Sequence, residues 1–163
     1  FPVGGTITSD KIANVFSGGP EKTWSHAFTF SSHPGGAAAA LKNLEIIEKE
    51  KLVENARIRG EQLRENLLEM KEIHPIIGDV RGVGLIQGME LVSNKETKQH
   101  FSKEVGVNTM LTEELKKRGM WIRVPAFILP IAPPLMISAD EIEMICSIID
   151  ESLSTVEKKI DIS

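Results

Sequence analysis

Residues 23–40, TWSHAFTFSSHPGGAAAA, constrain the fold more than any other stretch of the chain, because an aromatic- and hydroxyl-rich segment passes through Pro34 into residues with almost no side-chain volume. Proline suits the first turn of a helix, where a backbone N–H has no partner anyway. A helix that opens on glycine and alanine can also lie very close to another part of the chain. Ahead of it, Ser25, Thr29, Ser31 and Ser32 offer hydroxyls beside a helix N-terminus, whose free amides and dipole favour an anion such as phosphate. The same hydroxyls can equally serve as helix N-caps. Local chemistry leaves both readings open.

The rest of the composition narrows the setting. At 163 residues, with 41% hydrophobic and 26% charged side chains, the chain is one ordinary domain, or a small domain with a piece of another attached. A net charge of −4 without a long Lys/Arg cluster excludes a nucleic-acid surface and favours a small partner. No apolar run approaches the roughly 20 residues that cross a bilayer, and no basic segment precedes an apolar block, so neither a membrane span nor a signal peptide is expected. A cytoplasmic setting follows as the expectation. The single cysteine, Cys146, excludes an internal disulfide and falls among Ile145, Ile148 and Ile149 on a core helix. His26, His33, His74 and His100 are scattered without metal-ligand spacing. The start, FPVGGTITSD, lacks an initiator methionine and opens as though inside a structural unit, so a fragment of a longer protein is expected.

Taken in order, Thr6, Ile7 and Thr8 have strand character, and Ser9 or Asp10 caps a short helix over 11–16 that SGGP terminates. The helix from Pro34 continues through Leu41, Leu44, Ile46 and Ile47 to the charged run EKEK. A second amphipathic helix carries Leu52, Ala56, Leu63, Leu67 and Met70 at steps of three, four or seven, and His74-Pro75 ends it. Residues 83–92, VGLIQGMELV, predict one strand; Gly82, Gly84 and Gly88 are spaced GxGxxxG and lie within it, which is not a dinucleotide fingerprint. A polar loop over 93–101 leads to a helix with Val105, Met110, Leu111 and Leu115. MWIRV over 120–124 predicts a short strand. ILPIAPPLMI carries prolines that fit only a sheet edge or its end. SADE, with Ser138 and Glu141, forms a capping box before a last helix striped by Ile142, Ile145, Ile149, Leu153 and Val156.

Arg123, between Ile122 and Val124 and near Trp121, needs an anion if it is partly buried. An internal partner such as Glu90 is one answer. A substrate carboxylate, gripped through two parallel hydrogen bonds, is the other.

The PxGGxxxS element at the start, WSHAFTFSSHP entering an alanine-rich helix, VRGVGLIQGMEL, GMWIRV, and IAPPLMIS before an acidic helix together resemble the C-terminal part of the class III aminotransferases, pyridoxal-phosphate enzymes of fold type I. The resemblance covers essentially the whole chain. It implies that residues 1–50 end a large cofactor-binding α/β domain and that 51–163 form a small α+β domain with a short, mainly antiparallel sheet. It further implies an amine or amino acid and a keto acid as substrates, and a homodimer or higher homo-oligomer. Thr29 matches the threonine that reaches the cofactor phosphate of the other subunit, Phe28 shapes the neighbouring site, and Arg123 matches the arginine that binds the substrate carboxylate. Ser32 stands where glycine is usual, and His33 where members of the acetylornithine and aminomutase types commonly have asparagine. The FTFSSHP form is more similar to that of the ω-amino acid, pyruvate-using or diaminopelargonate-type enzymes. The Schiff-base lysine of the family falls just upstream of Phe1, so this chain alone is expected to be inactive. Two alternatives stand beside the transaminase: a glutamate-1-semialdehyde aminomutase of the same family, and a non-catalytic dimerisation or interaction fragment.

Overall fold

A computed structural model describes residues 1–161; the last two positions of the expected second domain lie outside the described residues. The chain divides into two compact units, Phe1–Glu50 and Lys51–Ser163.

In the first unit, α1 (Asp10–Ala13) runs into a 3₁₀ turn at Asn14–Phe16, and a second 3₁₀ turn, Pro20–Lys22, opens on Pro20. Thr6, Ile7 and Thr8 form no strand: β-branched residues make a strand only where a partner strand supplies the ladder, and Ile7 is fully exposed. The helix α2 (Pro34–Lys49) starts at Pro34 as its composition requires. Gly36 is the one buried residue of the unit, and a Cβ there would sit 3.2 Å from the Phe1 ring. The small residues therefore let the helix start close on the N-terminal segment. Lys51, with φ of 54°, breaks the helical path before the next element.

The second unit is built on α3 (Leu52–Ile73), a hairpin of β1 (Ile77–Val83) and β2 (Ile86–Leu91), α4 (Val107–Lys117), β3 (Ile128–Ile131) and α5 (Ala139–Lys159). All strand pairings are antiparallel, in the order β1-β2-β3. Register explains the core: Met89 pairs with Val80 on one side and Leu129 on the other, Leu91 with Ile77, and Gln87 with Ile131. Cross-strand partners share a face, so these side chains, all apolar but Gln87, form one buried surface. Leu63 and Leu67 of α3, Leu111 and Leu115 of α4, and Ile142, Ile149, Leu153 and Val156 of α5 join them in a single core. Glu90 and Ile128 face the other way.

Two sequence expectations change here. The stretch 83–92 is not one strand: Val83 ends β1, Gly84 at φ of 54° makes a two-residue hairpin loop with Leu85, and β2 begins at Ile86. The strand before it, β1, comes from residues with the composition of a turn. Residues 120–124 form no strand either, since the sheet ends at β3, whose edge position accommodates Pro130. The capping box forms as expected, with the Ser138 hydroxyl accepting from Glu141 N–H and the Glu141 carboxylate accepting from Ser138 N–H at 2.8 Å.

Long-range polar contacts fasten the helices. Asn55 Nδ2 donates to the carbonyls of Leu135 and Ile137 at 2.7 and 3.0 Å, which ties the start of α3 to the segment ahead of α5. At the other end, buried His74 lies 2.9 Å from Glu157 and 2.8 Å from Asp150 of α5. No helix among the described residues is long and apolar enough to cross a membrane.

Candidate functional site

The segment before α2 is ordered by its own alternation. In extended chain, residues two apart share a side. Trp24 and His26 accordingly stack at 5.2 Å between centroids, and His26 meets the edge of Phe28 at 4.7 Å. Phe16 extends the ladder against Trp24 at 5.7 Å. The ladder delivers the chain to a tight turn at Phe28–Ser31: Ser31 N–H donates to the Phe28 carbonyl at 2.9 Å, while Phe28 N–H donates to Ser31 Oγ at 3.0 Å. Thr29 occupies the corner of that turn. A second turn comes at once, in which His33 N–H donates to the Phe30 carbonyl. Within it Ser32 holds φ of 58°, the left-handed region where glycine carries no steric penalty.

The N-cap of α2 bears on the capping reading of the hydroxyls. His33 is the capping residue, for its Nδ1 accepts from Gly36 N–H at 3.2 Å and its ring stacks on Phe1 at 5.1 Å. None of the four hydroxyls caps the helix. Ser31 is used in its own turn, and the Thr29 hydroxyl makes no hydrogen bond among the described residues. Phe28, Phe30, Ser31 and His33 line a cleft of about 1000 Å³ together with Pro2 and Gly5, whereas Thr29 lies outside that lining. A hydroxyl at a turn corner, unused by the fold and preceding a helix start, has the chemistry to donate to a phosphate oxygen. In this respect the residues fit the phosphate end of pyridoxal phosphate. No lysine lines the cleft.

Arg123 belongs to the second unit. It is exposed, so no cost of burial forces an internal partner on it. Its internal candidate is engaged elsewhere: the Glu90 carboxylate accepts from Arg81 at 2.7 Å and from His100 Nε2 at 2.9 Å. Those two partners, the Arg81 guanidinium first, hold the Glu90 carboxyl below the usual carboxylate range. Arg123 forms no ion pair among the described residues. Thr112, Lys116, Trp121 and Ile122 share its groove, with the Lys116 ammonium 4.5 Å from the Trp121 ring. The groove thus joins two cations and an indole face.

Sequence reasoning missed three histidines: the His33 cap, the His74 tie to α5 and the His100 bond to Glu90. The first had a signal, since a polar residue before proline at a helix start is a cap candidate. The other two depend on partners brought together by the tertiary fold.

Comparison with known proteins gives the chain a family. The profile of Aminotransferase class-III matches residues 1–153. The chain is 34% identical over 98% of its length to a probable gamma-aminobutyrate transaminase 3, mitochondrial, of Oryza sativa subsp. indica, and spans 32% of that protein. It is also 34% identical, over 88% of its length, to putrescine–pyruvate aminotransferase of Pseudomonas aeruginosa, of which it spans 31%. The crystal structure of a transaminase from the marine bacterium Virgibacillus superposes with a TM-score of 0.84 at 36% identity, over 93% of this chain and 35% of that one. The chain spans about a third of the length of the relatives it matches. With a profile match that runs through both units, and a transaminase fold that superposes over 93% of the chain, the conclusion is direct: the chain belongs to the class III aminotransferases, a family of pyridoxal-phosphate-dependent enzymes.

Proposed function

We propose that this chain is the C-terminal part of a pyridoxal-phosphate-dependent aminotransferase that moves an amino group from an amine or ω-amino acid to a keto acid such as pyruvate. The observation that carries the reading is the Thr29 hydroxyl, set at the corner of a turn and released from capping by His33. Residues 1–50 would complete the large cofactor-binding domain, and 51–163 form the small C-terminal domain. Exposed Phe1, Ile7, Trp24, Phe28 and Phe30 support this, because so much apolar surface on fifty residues calls for a cover. That cover is the upstream part of the longer protein and a second copy, whose cofactor phosphate receives Thr29. Relatives named for gamma-aminobutyrate and for putrescine with pyruvate support the substrate class.

Pyridoxal phosphate, when bound, supplies the electron sink for the bond broken at the amine carbon. This chain's own share is placement. Thr29 anchors the phosphate, Phe28 walls the adjoining space, and Arg123 holds a substrate carboxylate in a two-bond fork that fixes its orientation. The lysine that carries the cofactor lies upstream, so the chain alone is inactive. We assign the protein to the cytoplasm.

The test uses the full-length protein. Its visible absorbance must shift when an amine donor is added, and a protein without that shift is an interaction module. Thr29→Ala is expected to weaken cofactor affinity about tenfold to a hundredfold, the worth of a hydrogen bond to a charged group. Arg123→Ala should raise KM for acidic donors about tenfold or more while sparing neutral amines, and equal losses would refute the carboxylate role. Conversion of glutamate semialdehyde without a second keto acid would assign the protein to the aminomutases instead.

A further inference from the structure

Arg123 rides on a segment, residues 120–127, that makes no sheet pairing. Its direction is therefore set at its two ends: on the N-terminal side Met120 N–H donates to the Leu115 carbonyl at 2.9 Å, and on the C-terminal side the backbone turns sharply. Val124 is buried and anchors the chain in the core. Then Ala126, at φ of 46°, and Phe127, at φ of 63°, lie consecutively in left-handed backbone, which L side chains avoid. Such a corner persists only where neighbouring groups hold it.

One of those neighbours is His100. Its ring stacks on Phe127, with centroids 5.2 Å apart and planes 24° from parallel. The ring is itself fixed, because its Nε2 lies 2.9 Å from Glu90 Oε1 on the outer face of β2. A carboxylate kept ionised by Arg81 can only accept, so Nε2 carries the proton. Glu90 in turn pairs in register with Ile128, the residue directly after the strained corner. The loop that presents His100 is closed by Ser93, whose N–H donates to the Gln99 carbonyl at 2.7 Å and whose hydroxyl reaches the His100 carbonyl at 3.2 Å. Arg81, Glu90, His100 and Phe127 thus form one chain of contacts that ends at the corner three residues after Arg123.

We propose that His100 is a positioning residue for Arg123: stacked on Phe127 and tied to Glu90, it holds the left-handed Ala126–Phe127 corner and so fixes the direction from which the guanidinium meets a substrate carboxylate. This rests on the carboxylate reading of Arg123 given above. His100 touches no substrate in this scheme, and its effect passes entirely through Arg123.

The test is a double-mutant cycle in the full-length, cofactor-loaded enzyme, with His100→Ala, Arg123→Ala and the pair, each assayed with an acidic and a neutral amine donor. His100→Ala is expected to raise KM for the acidic donor about fivefold to tenfold, to leave kcat and the neutral donor within about twofold, and to add nothing once Arg123 is gone. His100→Phe keeps a ring against Phe127 and is expected to recover part of the loss. Amide exchange supplies a readout free of turnover. Ile128 N–H, which donates to the Pro125 carbonyl, is expected to exchange about tenfold faster in His100→Ala and unchanged in Arg123→Ala. Equal losses for both donors, additive effects of the two substitutions, or unchanged exchange at Ile128 each overturn the proposal. Should Arg123→Ala fail to separate acids from neutral amines, the carboxylate reading falls on its own, and exchange at Ile128 still decides whether His100 holds the corner.

Discussion

Glu114 is a carboxylate almost completely removed from water, and it accepts from Lys117 at 2.8 Å, Arg118 at 2.7 Å and Lys159 at 2.8 Å. These cations, Lys117 first, hold its carboxyl well below the usual carboxylate range. A group depressed in the folded state stabilises fully above its unfolded value, and that stabilisation fades as pH falls towards the folded value. Melting curves should therefore place Glu114→Gln below the parent at neutral pH, with the gap closing as acid is added. A constant gap would mean that packing, not charge, sets its worth. Lys159 lies on α5, so the pairing was invisible to a reading of local spacing, as was the pairing of His74 with Asp150 and Glu157. Thr29 and Arg123, by contrast, were singled out from local patterns and a family resemblance. What the fold adds for them is negative information: His33 caps in place of the hydroxyls, and Glu90 is occupied by Arg81 and His100.

At the scale of elements, the helices were legible and the sheet only in part. Helices announce themselves by short-range periodicity and by caps, and the box at Ser138 is such a local signal. Ser138→Ala should lower stability by about 1 kcal/mol in a denaturant titration, in keeping with the loss of an N-cap. Strand pairing is decided by distant partners. MWIRV has strand composition but no neighbour to bond with, while the turn at Gly84-Leu85 lacks the Asn-Gly or Asp-Gly signature that marks many hairpins. The contact of that turn with α3 is its most exacting feature. A Cβ on Gly60 would lie 2.3 Å from the Gly84 backbone carbonyl carbon, and neither backbone can rotate away. Gly60→Ala is accordingly expected to cost about 3 kcal/mol, at the upper end for overpacking, measurable as a lowered denaturant midpoint. A neutral result would show that the hairpin and α3 can separate freely.

For the whole molecule, burial is divided unequally. Among the described residues, the unit from Lys51 holds the continuous core of twenty-two buried hydrophobic residues, while Phe1–Glu50 buries Gly36 and little else. Proteins open where few apolar contacts oppose opening. Limited proteolysis of this chain alone should cut first within residues 1–50 and leave a resistant product beginning near Lys51; early cuts inside α3 or α5 would contradict the assignment of the core. The same imbalance has a genetic reading. In a mutational scan of the full-length protein, substitutions at Leu67, Leu129 or Ile149 should register as lost protein. Those at Trp24, Phe28 or Phe30 should leave the level of protein nearly unchanged and register as lost activity, because what they damage is the joining of this segment to other surfaces.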